Sequence, residues 1–189
     1  MRILALDGIH ADGLNLFRNE GWSVETGEPI KDAAVLAAKL KAFDAVLVRS
    51  ATQVGADALS EARDLKVIGR AGAGVDTIDV EAATARGIAV MNAPDGNTLA
   101  AAEHAISLLF ALARHIPRAD AGMKAGEWPK AGLTGFELEG KRLGVIGLGR
   151  IGSTVARKAV GIGMEVAAYD PFLPVAAAAR QSLPLKSLE

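Results

Sequence analysis

Short apolar runs alternate with longer segments of helical periodicity along the first half of the chain. The apolar runs predict strands at residues 2–7, 22–26, 44–49, 66–70 and 88–92. The segments between them, where apolar positions recur at helical spacing, predict helices at 11–20, 31–42, 56–64 and 79–86. Apolar strands that are separated by single helices are typical of a parallel sheet covered on both faces. The pattern therefore predicts an α/β fold built on a parallel sheet.

The pattern changes at residues 93–98, where the sequence APDGNT has the composition of a turn. A long helix is predicted next, at 98–115, and because it is apolar nearly all round we expect it to be buried between two surfaces. After a polar stretch at 118–140, the alternation predicts a strand at 142–147, a helix at 151–162, a strand at 165–170 and a further helix at 175–182. We therefore predict one domain at 1–96 and a second at 97–189, truncated after its second strand.

The composition excludes several classes of protein. Half of the 189 residues are hydrophobic and the formal net charge is −1, which excludes intrinsic disorder and a nucleic-acid binder that depends on overall basic charge. Cysteine is absent, so disulfides and thiolate metal sites are excluded, and the three histidines lie in no carboxylate cluster, so we expect no metal site. No signal-peptide core or membrane-length apolar segment is visible, so we expect a cytoplasmic protein with no membrane partner.

A GxGxxG turn follows the predicted strand 142–147 and opens the predicted helix 151–162. The first glycine of such a motif allows a tight turn, the second lets the backbone approach a pyrophosphate, and the third lets the helix pack closely on the strand. The N–H groups at the start of the helix then face the phosphates. The candidate cofactor-binding residues of this turn are Gly147, Gly149, Arg150, Ile151 and Gly152.

Asp170 ends the next predicted strand, where an acid accepts hydrogen bonds from the adenosine ribose and repels a 2′-phosphate. Asp170 is therefore a sixth candidate cofactor-binding residue, and NAD is the expected cofactor rather than NADP. FAD and other adenine nucleotides remain alternatives. A simple tight turn with a surface aspartate at the strand end also remains open.

Residues 69–109, GRAGAGVDTIDVEAATARGIAVMNAPDGNTLAAAEHAISLL, resemble the D-isomer-specific 2-hydroxyacid dehydrogenase family. The resemblance extends from about Asp44 to Pro171, and within the family it is greatest to members that act on 3-phosphoglycerate in serine biosynthesis. It implies hydride transfer between NAD and a small anionic D-2-hydroxy acid. It also implies an active site in a cleft between two domains, and a homodimer or homotetramer formed through the NAD-binding domain.

Taken with the resemblance, the expected fold class is α/β, with a flavodoxin-like parallel-sheet substrate domain followed by an incomplete Rossmann NAD-binding domain. The substrate domain corresponds to residues 1–96 and the NAD-binding domain to residues 97–189.

The resemblance also implies a substrate site. Gly72, Ala73 and Gly74 match the family loop whose main-chain N–H groups hold the substrate carboxylate, which suits a glycine-rich nest for an anion. Asn97 matches a polar residue near the substrate. A simple turn between strand and helix is the alternative for residues 72–74, and a turn or helix-capping role is the alternative for Asn97.

Arg49 and Arg70 lie at the ends of two neighbouring predicted strands, where open α/β sheets bind ligands. Arginine suits bidentate phosphate binding, so we expect both to contact the substrate phosphate. Two such cations favour a phosphorylated acid over glyoxylate or lactate. A surface salt bridge is the alternative role for these residues.

The family mechanism uses a histidine, a glutamate and an arginine that lie beyond the second strand of the NAD-binding domain, and therefore beyond Glu189. We expect His10, His104 and His115 to be structural, with His104 packed within its helix, so no catalytic residue is assigned. The chain alone is expected to be inactive. A glyoxylate or hydroxypyruvate reductase and a non-catalytic nucleotide-binding module remain open as alternatives.

Overall fold

The computed structural model describes residues 1–128, 130–173 and 185–187. The chain separates into two compact units, Met1–Asn97 and Thr98–Glu189. The assignment of substrate to the first unit and of NAD to the second stays a prediction.

The first unit alternates strands and helices throughout. In chain order the elements are β1 (Arg2–Ala5), α1 (Ala11–Asn19), β2 (Ser23–Thr26), α2 (Ala33–Leu40), β3 (Ala45–Val48), α3 (Ala56–Leu59), β4 (Val67–Arg70), α4 (Val80–Ala85) and β5 (Ala89–Asn92). Within residues 1–97 the strands pair in parallel in the order β2-β1-β3-β4-β5, which is the flavodoxin-like order. The predicted α/β fold class is therefore confirmed.

Capping residues and core packing explain where two of the helices differ from the prediction. The carboxylate of Asp32 accepts hydrogen bonds from the N–H groups of Ala34 and Val35, so α2 begins only after Asp32. The helix predicted at 56–64 ends at Leu59, yet Ala62 and Leu65 are also buried. These two residues lie beyond the end of the helix but still pack into the core. Their apolar positions continue the helical spacing in the sequence, so the predicted helix was too long.

The core of the first unit forms around the three central strands β1, β3 and β4. Leu4, Val46 and Ile68, one from each strand, have no exposed surface, and Leu36 and Leu40 of α2 pack into the same cluster. A strand that is buried on both faces has a continuous apolar sequence. The positions of these three strands could therefore be predicted from the sequence. The carboxyl ends of β3 and β4 are thereby fixed side by side.

The second unit contains α5 (Thr98–Ala113), α6 (Ile116–Lys124), β6 (Arg142–Ile146), α7 (Arg150–Gly161) and β7 (Glu165–Tyr169). Within the described residues, β6 and β7 form a parallel two-stranded sheet. Buried side chains of α7, including Ala156 and Ala159, pack in one cluster with Val166 and Ala168 of β7. The helix predicted at 175–182 lies outside the described residues.

The expectation that the long apolar helix is buried between two surfaces is wrong for the residues that the structure describes. Ala102 and Ala113 of α5 are buried, and α5 packs against α7, but Leu108 and Leu112 are more than half exposed. The described residues of the second unit cover only one side of this helix. An apolar helix surface indicates that another part of the protein or another molecule packs against it. The amino-acid composition of the helix does not show which of these it is.

No single helix among residues 1–128, 130–173 and 185–187 is both long and apolar enough to cross a membrane. Together α5 and α6 pass that test of length and composition, but the pair is bent by 67°.

Candidate functional site

A cavity of about 320 Å³ opens at the carboxyl ends of β3 and β4. The residues that line it are Arg49, Ser50, Arg70, Ala71, Gly72, Ala73, Gly74, Asp76 and Asn97. All six residues proposed from the sequence for the substrate are among them. The structure therefore brings together positions that the sequence spreads over nearly 50 residues.

The end of β5 holds the glycine-rich loop of this cavity in place. The side-chain amide of Asn92 donates to the carbonyl of Ala73 at 2.6 Å, and the N–H of Ala93 donates to the carbonyl of Gly72 at 3.0 Å. Within the described part of the chain, the N–H groups of Ala73 and Gly74 have no acceptor. These two donors remain for an anion, in the manner of a main-chain nest.

Arg70 is committed to protein partners. Its Nε donates to the carbonyl of Arg49 at 3.1 Å and its guanidinium pairs with the Asp76 carboxylate at 2.7 Å, while the side chain is only 10% exposed. A Cβ on Gly74 would lie 2.7 Å from that carboxylate and 3.0 Å from the guanidinium, so the glycine makes room for the pair. The salt bridge that was the alternative role for the two arginines is thus present for Arg70.

Arg49 differs from Arg70 in its surroundings. It directly follows β3, is exposed, and makes no side-chain hydrogen bond or ion pair with the described residues. Its main-chain carbonyl accepts from Arg70, so its backbone is held while its guanidinium stays available. Of the two arginines that line this cavity, Arg49 is therefore the one whose guanidinium is available to an anionic ligand.

A buried carboxylate supports the turn that carries Arg49. Asp7, which follows β1, is 9% exposed and accepts hydrogen bonds from the N–H groups of Arg49 (2.8 Å) and Thr52 (3.0 Å). Its other oxygen accepts from the Thr52 hydroxyl at 2.6 Å. Burial by itself raises the pKa of Asp7, but the bonds from Thr52, Arg49 and Ala51 outweigh it and lower the pKa below its ordinary value. Asp7 is therefore ionised at neutral pH.

We expect Asp7 to make the stability of the fold depend on pH. Because its pKa is lower in the folded chain, its stabilising contribution is fully present above the unfolded-state pKa, about 4, and is lost as the pH falls through the folded-state pKa. Chemical denaturation of wild type and of Asp7→Asn measures this contribution as a difference in unfolding free energy. The difference should be constant near neutral pH and shrink in acid. A difference that stays the same down to about pH 2 would contradict the assignment.

The GxGxxG turn of the second unit has the geometry of a phosphate-binding turn. Gly147 has φ +90°, and its N–H donates to the carbonyl of Tyr169 at 2.7 Å. A Cβ on Gly152 would overlap the carbonyl oxygen of Gly147, whereas one on Gly149 would meet nothing within 4 Å. Gly149 precedes α7 and provides no side-chain cap, and the space beside its Cα is open. The turn thus leaves room for a pyrophosphate.

Asp170 ties the end of β7 to this turn. One carboxylate oxygen accepts from the N–H of Leu148 at 2.7 Å, and the other from those of Phe172 (2.9 Å) and Leu173 (3.1 Å). The bonds from Phe172 and Leu148 lower the pKa of Asp170 below its ordinary value. The oxygen bonded to Leu148 keeps a free lone pair, so Asp170 retains the capacity to accept from a ribose hydroxyl.

The three histidines line neither the cavity at β3 and β4 nor the turn at 147–152. His10 caps α1 by accepting from the N–H of Asp12, and His115 connects α5 to α6 with φ 53°. His104, which we expected to be packed, is exposed on α5 because that part of the helix surface is uncovered.

Sequence reasoning missed the residues that support the site. These residues act through contacts that form only when the ends of the strands meet. The contact between Asp7 and Thr52, for example, joins positions 45 residues apart. The supporting residues are Asp7, Thr52, Asp76 and Asn92. The signal in the sequence was weak. An aspartate directly after the first apolar run was visible, but nothing in its neighbours marked it as buried.

The chain is similar to known proteins both in sequence and in fold. Residues 3–181 match the model of the catalytic domain of the D-isomer specific 2-hydroxyacid dehydrogenases. The chain is 46% identical over 173 residues to a D-3-phosphoglycerate dehydrogenase of Archaeoglobus fulgidus, and 47% identical over 174 residues to one of Methanocaldococcus jannaschii, covering 92% of this chain each time. The structure of the D-lactate dehydrogenase of Escherichia coli superposes with a TM-score of 0.81, at 29% identity, over 100% of this chain and 60% of that chain.

The chain spans about a third of the length of the curated relatives it matches, 33% in both of these cases.

Proposed function

The chain belongs to the D-isomer-specific 2-hydroxyacid dehydrogenase family, and from this premise we propose that it supplies the substrate- and NAD-binding parts of a 3-phosphoglycerate dehydrogenase. The reaction is oxidation of the CH–OH group of 3-phosphoglycerate to the ketone of 3-phosphohydroxypyruvate, in serine biosynthesis. NAD, when bound, supplies the hydride acceptor.

The observation that carries this proposal is the cavity at β3 and β4. It combines one available guanidinium, Arg49, with the N–H groups of Ala73 and Gly74, which have no acceptor among the described residues. A guanidinium suits a phosphate, and a pair of main-chain donors suits a carboxylate. 3-Phosphoglycerate carries one of each group. Asn97, at the rim of the same cavity, provides an amide for a hydroxyl.

The geometry of the second unit supports NAD as its cofactor. The open space at Gly149 and the uncapped start of α7 suit a pyrophosphate, with Arg150 and Ile151 in the first turn of the helix. Asp170 is ionised and held beside the turn, where it suits a free ribose and repels a 2′-phosphate.

In this proposal, proton transfer from the substrate hydroxyl depends on a histidine paired with a glutamate, and on a further arginine, that are not among the residues described. We therefore propose that the 189-residue chain binds substrate and NAD but does not turn them over. Calorimetric titration with NAD and with 3-phosphoglycerate, combined with an absorbance assay for NADH, tests this. Binding without NADH formation is expected. Failure to bind either ligand, or robust NADH formation, would contradict it.

We expect Asp170 to set the preference for NAD. In Asp170→Asn the charge that repels a 2′-phosphate is lost, so the ratio of the dissociation constants for NADP and NAD should fall by about tenfold. Glu165→Gln, the same charge change at the other end of β7, is the matched control and should leave the ratio unchanged. An equal change of the ratio in both variants would show that Asp170 has no specific role.

We also propose a cytoplasmic homodimer or homotetramer, formed through the NAD-binding unit. The exposed apolar side chains Leu99, Leu108 and Leu112 of α5 are the surface that such contacts would cover. Sedimentation equilibrium of the wild-type chain and of Leu112→Glu tests this, with a shift toward monomer expected for the variant.

A further inference from the structure

Asp7 has a backbone conformation that needs support from its surroundings. Its φ of 63° lies in the left-handed region, which aspartate tolerates better than most residues but still adopts at a cost in free energy. Its carboxylate is also nearly buried, and a buried charge is retained only when it is hydrogen-bonded. Both features indicate that the position of this carboxylate is strongly determined.

All the side-chain hydrogen bonds of Asp7 go to one turn. The donors are the N–H of Arg49, the N–H of Thr52 and the hydroxyl of Thr52, between 2.6 and 3.0 Å, together with the N–H of Ala51. Thr52 is itself fully buried, and its hydroxyl oxygen accepts from the N–H of Ile30 at 3.2 Å. The ends of β1 and β3 and the segment after β2 are therefore linked through one carboxylate and one hydroxyl.

The main chain of Arg49 is held from both sides by side chains. Its N–H donates to Asp7, and its carbonyl accepts from Nε of Arg70 at 3.1 Å and from the hydroxyl of Thr77 at 3.5 Å. Its guanidinium, in contrast, makes no hydrogen bond or ion pair with the described residues. Because the backbone of Arg49 is already fixed, binding an anion costs only the rotamer freedom of its side chain and no backbone freedom.

The hydrogen bonds between Asp7 and Thr52 lie at the point of the sheet where a ligand crevice is expected. In the order β2-β1-β3-β4-β5 the crevice for ligands is expected between β1 and β3, where the strand order reverses. Asp7 and Thr52 connect the ends of β1 and β3 at this point, and the cavity lies one strand further on, at β3 and β4. Asp7 and Thr52, which lie where the strand order reverses, thus support the neighbouring ligand site.

We propose that Asp7 is a positioning residue for the anion site: together with Thr52 it fixes the turn 49–52 so that Arg49 meets the phosphate of the substrate. This rests on the proposed function, because it requires Arg49 to be the phosphate ligand. Asp7 acts through Arg49 and does not itself touch the substrate.

The test uses three variants of the 189-residue chain. Asp7→Asn keeps the shape of the side chain and removes its charge, and Thr52→Val removes the hydroxyl with little change of volume. Thr52→Ser keeps the hydroxyl and is the conservative control. Each is titrated calorimetrically with 3-phosphoglycerate and with D-glycerate, which lacks the phosphate. Amide hydrogen exchange at Arg49 reports on the turn without any ligand.

We expect Asp7→Asn and Thr52→Val to raise the dissociation constant of 3-phosphoglycerate by about tenfold. That of D-glycerate should change less than twofold, because a displaced Arg49 affects only the phosphate contact. The exchange protection of the Arg49 amide should fall in both variants, and Thr52→Ser should resemble wild type in every measurement. General destabilisation would instead weaken both ligands together.

Unchanged 3-phosphoglycerate affinity in both variants, or equal weakening of the two ligands, would overturn the positioning role while leaving the phosphate site intact. A wild-type chain that binds D-glycerate as tightly as 3-phosphoglycerate would contradict the phosphate site itself, and the positioning role with it. The two failures are distinguishable because the second appears without any substitution. If Asp7→Asn does not fold, Thr52→Val and Thr52→Ser decide the question between them.

Discussion

Gly152→Ala is expected to lower the free energy of unfolding of the second unit by about 3 kcal/mol, the upper end of the usual effect of overpacking. The new Cβ would overlap the carbonyl oxygen of Gly147 and lie 3.1 Å from its carbonyl carbon and 3.4 Å from a methyl group of Val145. Backbone atoms cannot rotate away, so α7 must move off the turn. Denaturant unfolding followed by circular dichroism measures the loss.

Gly149→Ala is the matched control, because the same atom is added three residues earlier in the same motif. A Cβ there meets nothing within 4 Å, and φ is −66°, which any residue adopts. Stability should therefore stay within about 0.5 kcal/mol of wild type. NAD affinity should nevertheless fall, because the methyl group stands where the backbone would approach the pyrophosphate. Equal stability of the two variants would show that helix and turn are not packed as described.

Arg49→Gln is expected to raise the dissociation constant of 3-phosphoglycerate by about 30-fold, equivalent to about 2 kcal/mol, with little change for D-glycerate. The reason is that Arg49 has no ion pair among the described residues, so its charge-assisted hydrogen bonds are available to the phosphate. Calorimetric titration of each variant with both ligands measures the effect.

Arg63→Gln removes the same charge from an exposed position that does not line the cavity, and should bind 3-phosphoglycerate like wild type. If Arg49→Gln and Arg63→Gln weaken binding equally, the effect comes from net charge. A weakening confined to Arg70→Gln would mean that Arg70 leaves Asp76 and Arg49 to bind the phosphate, which would contradict the division of roles between the two arginines.

Much of the first unit could be predicted because its three central strands, β1, β3 and β4, are largely buried. Runs such as the one at β3, whose Ala45, Val46 and Val48 are all buried, stand out from the polar segments around them. The candidate site could be predicted in part for a related reason. The ends of neighbouring parallel strands meet at one edge of the sheet, so Arg49, Arg70 and the glycine-rich loop were expected together, and the structure places them around one cavity.

The remaining features depend on contacts that no local pattern contains. The division of roles between the arginines follows from Asp76, which lies six residues after Arg70 and reaches back to it across Gly74. The support from Asp7 joins residues more than 40 positions apart. The exposure of Leu108 depends on what packs against α5, which its composition cannot specify.

The central claim is that this chain binds a phosphorylated 2-hydroxy acid at Arg49 and the glycine-rich loop. The most direct test is the ratio of the dissociation constants of the wild-type chain for D-glycerate and 3-phosphoglycerate, measured by calorimetry in the presence of NAD. We predict that 3-phosphoglycerate binds at least about tenfold more tightly, since the two ligands differ only in the phosphate. Equal affinities, or tighter binding of D-glycerate, would contradict the claim and favour a dehydrogenase of unphosphorylated acids.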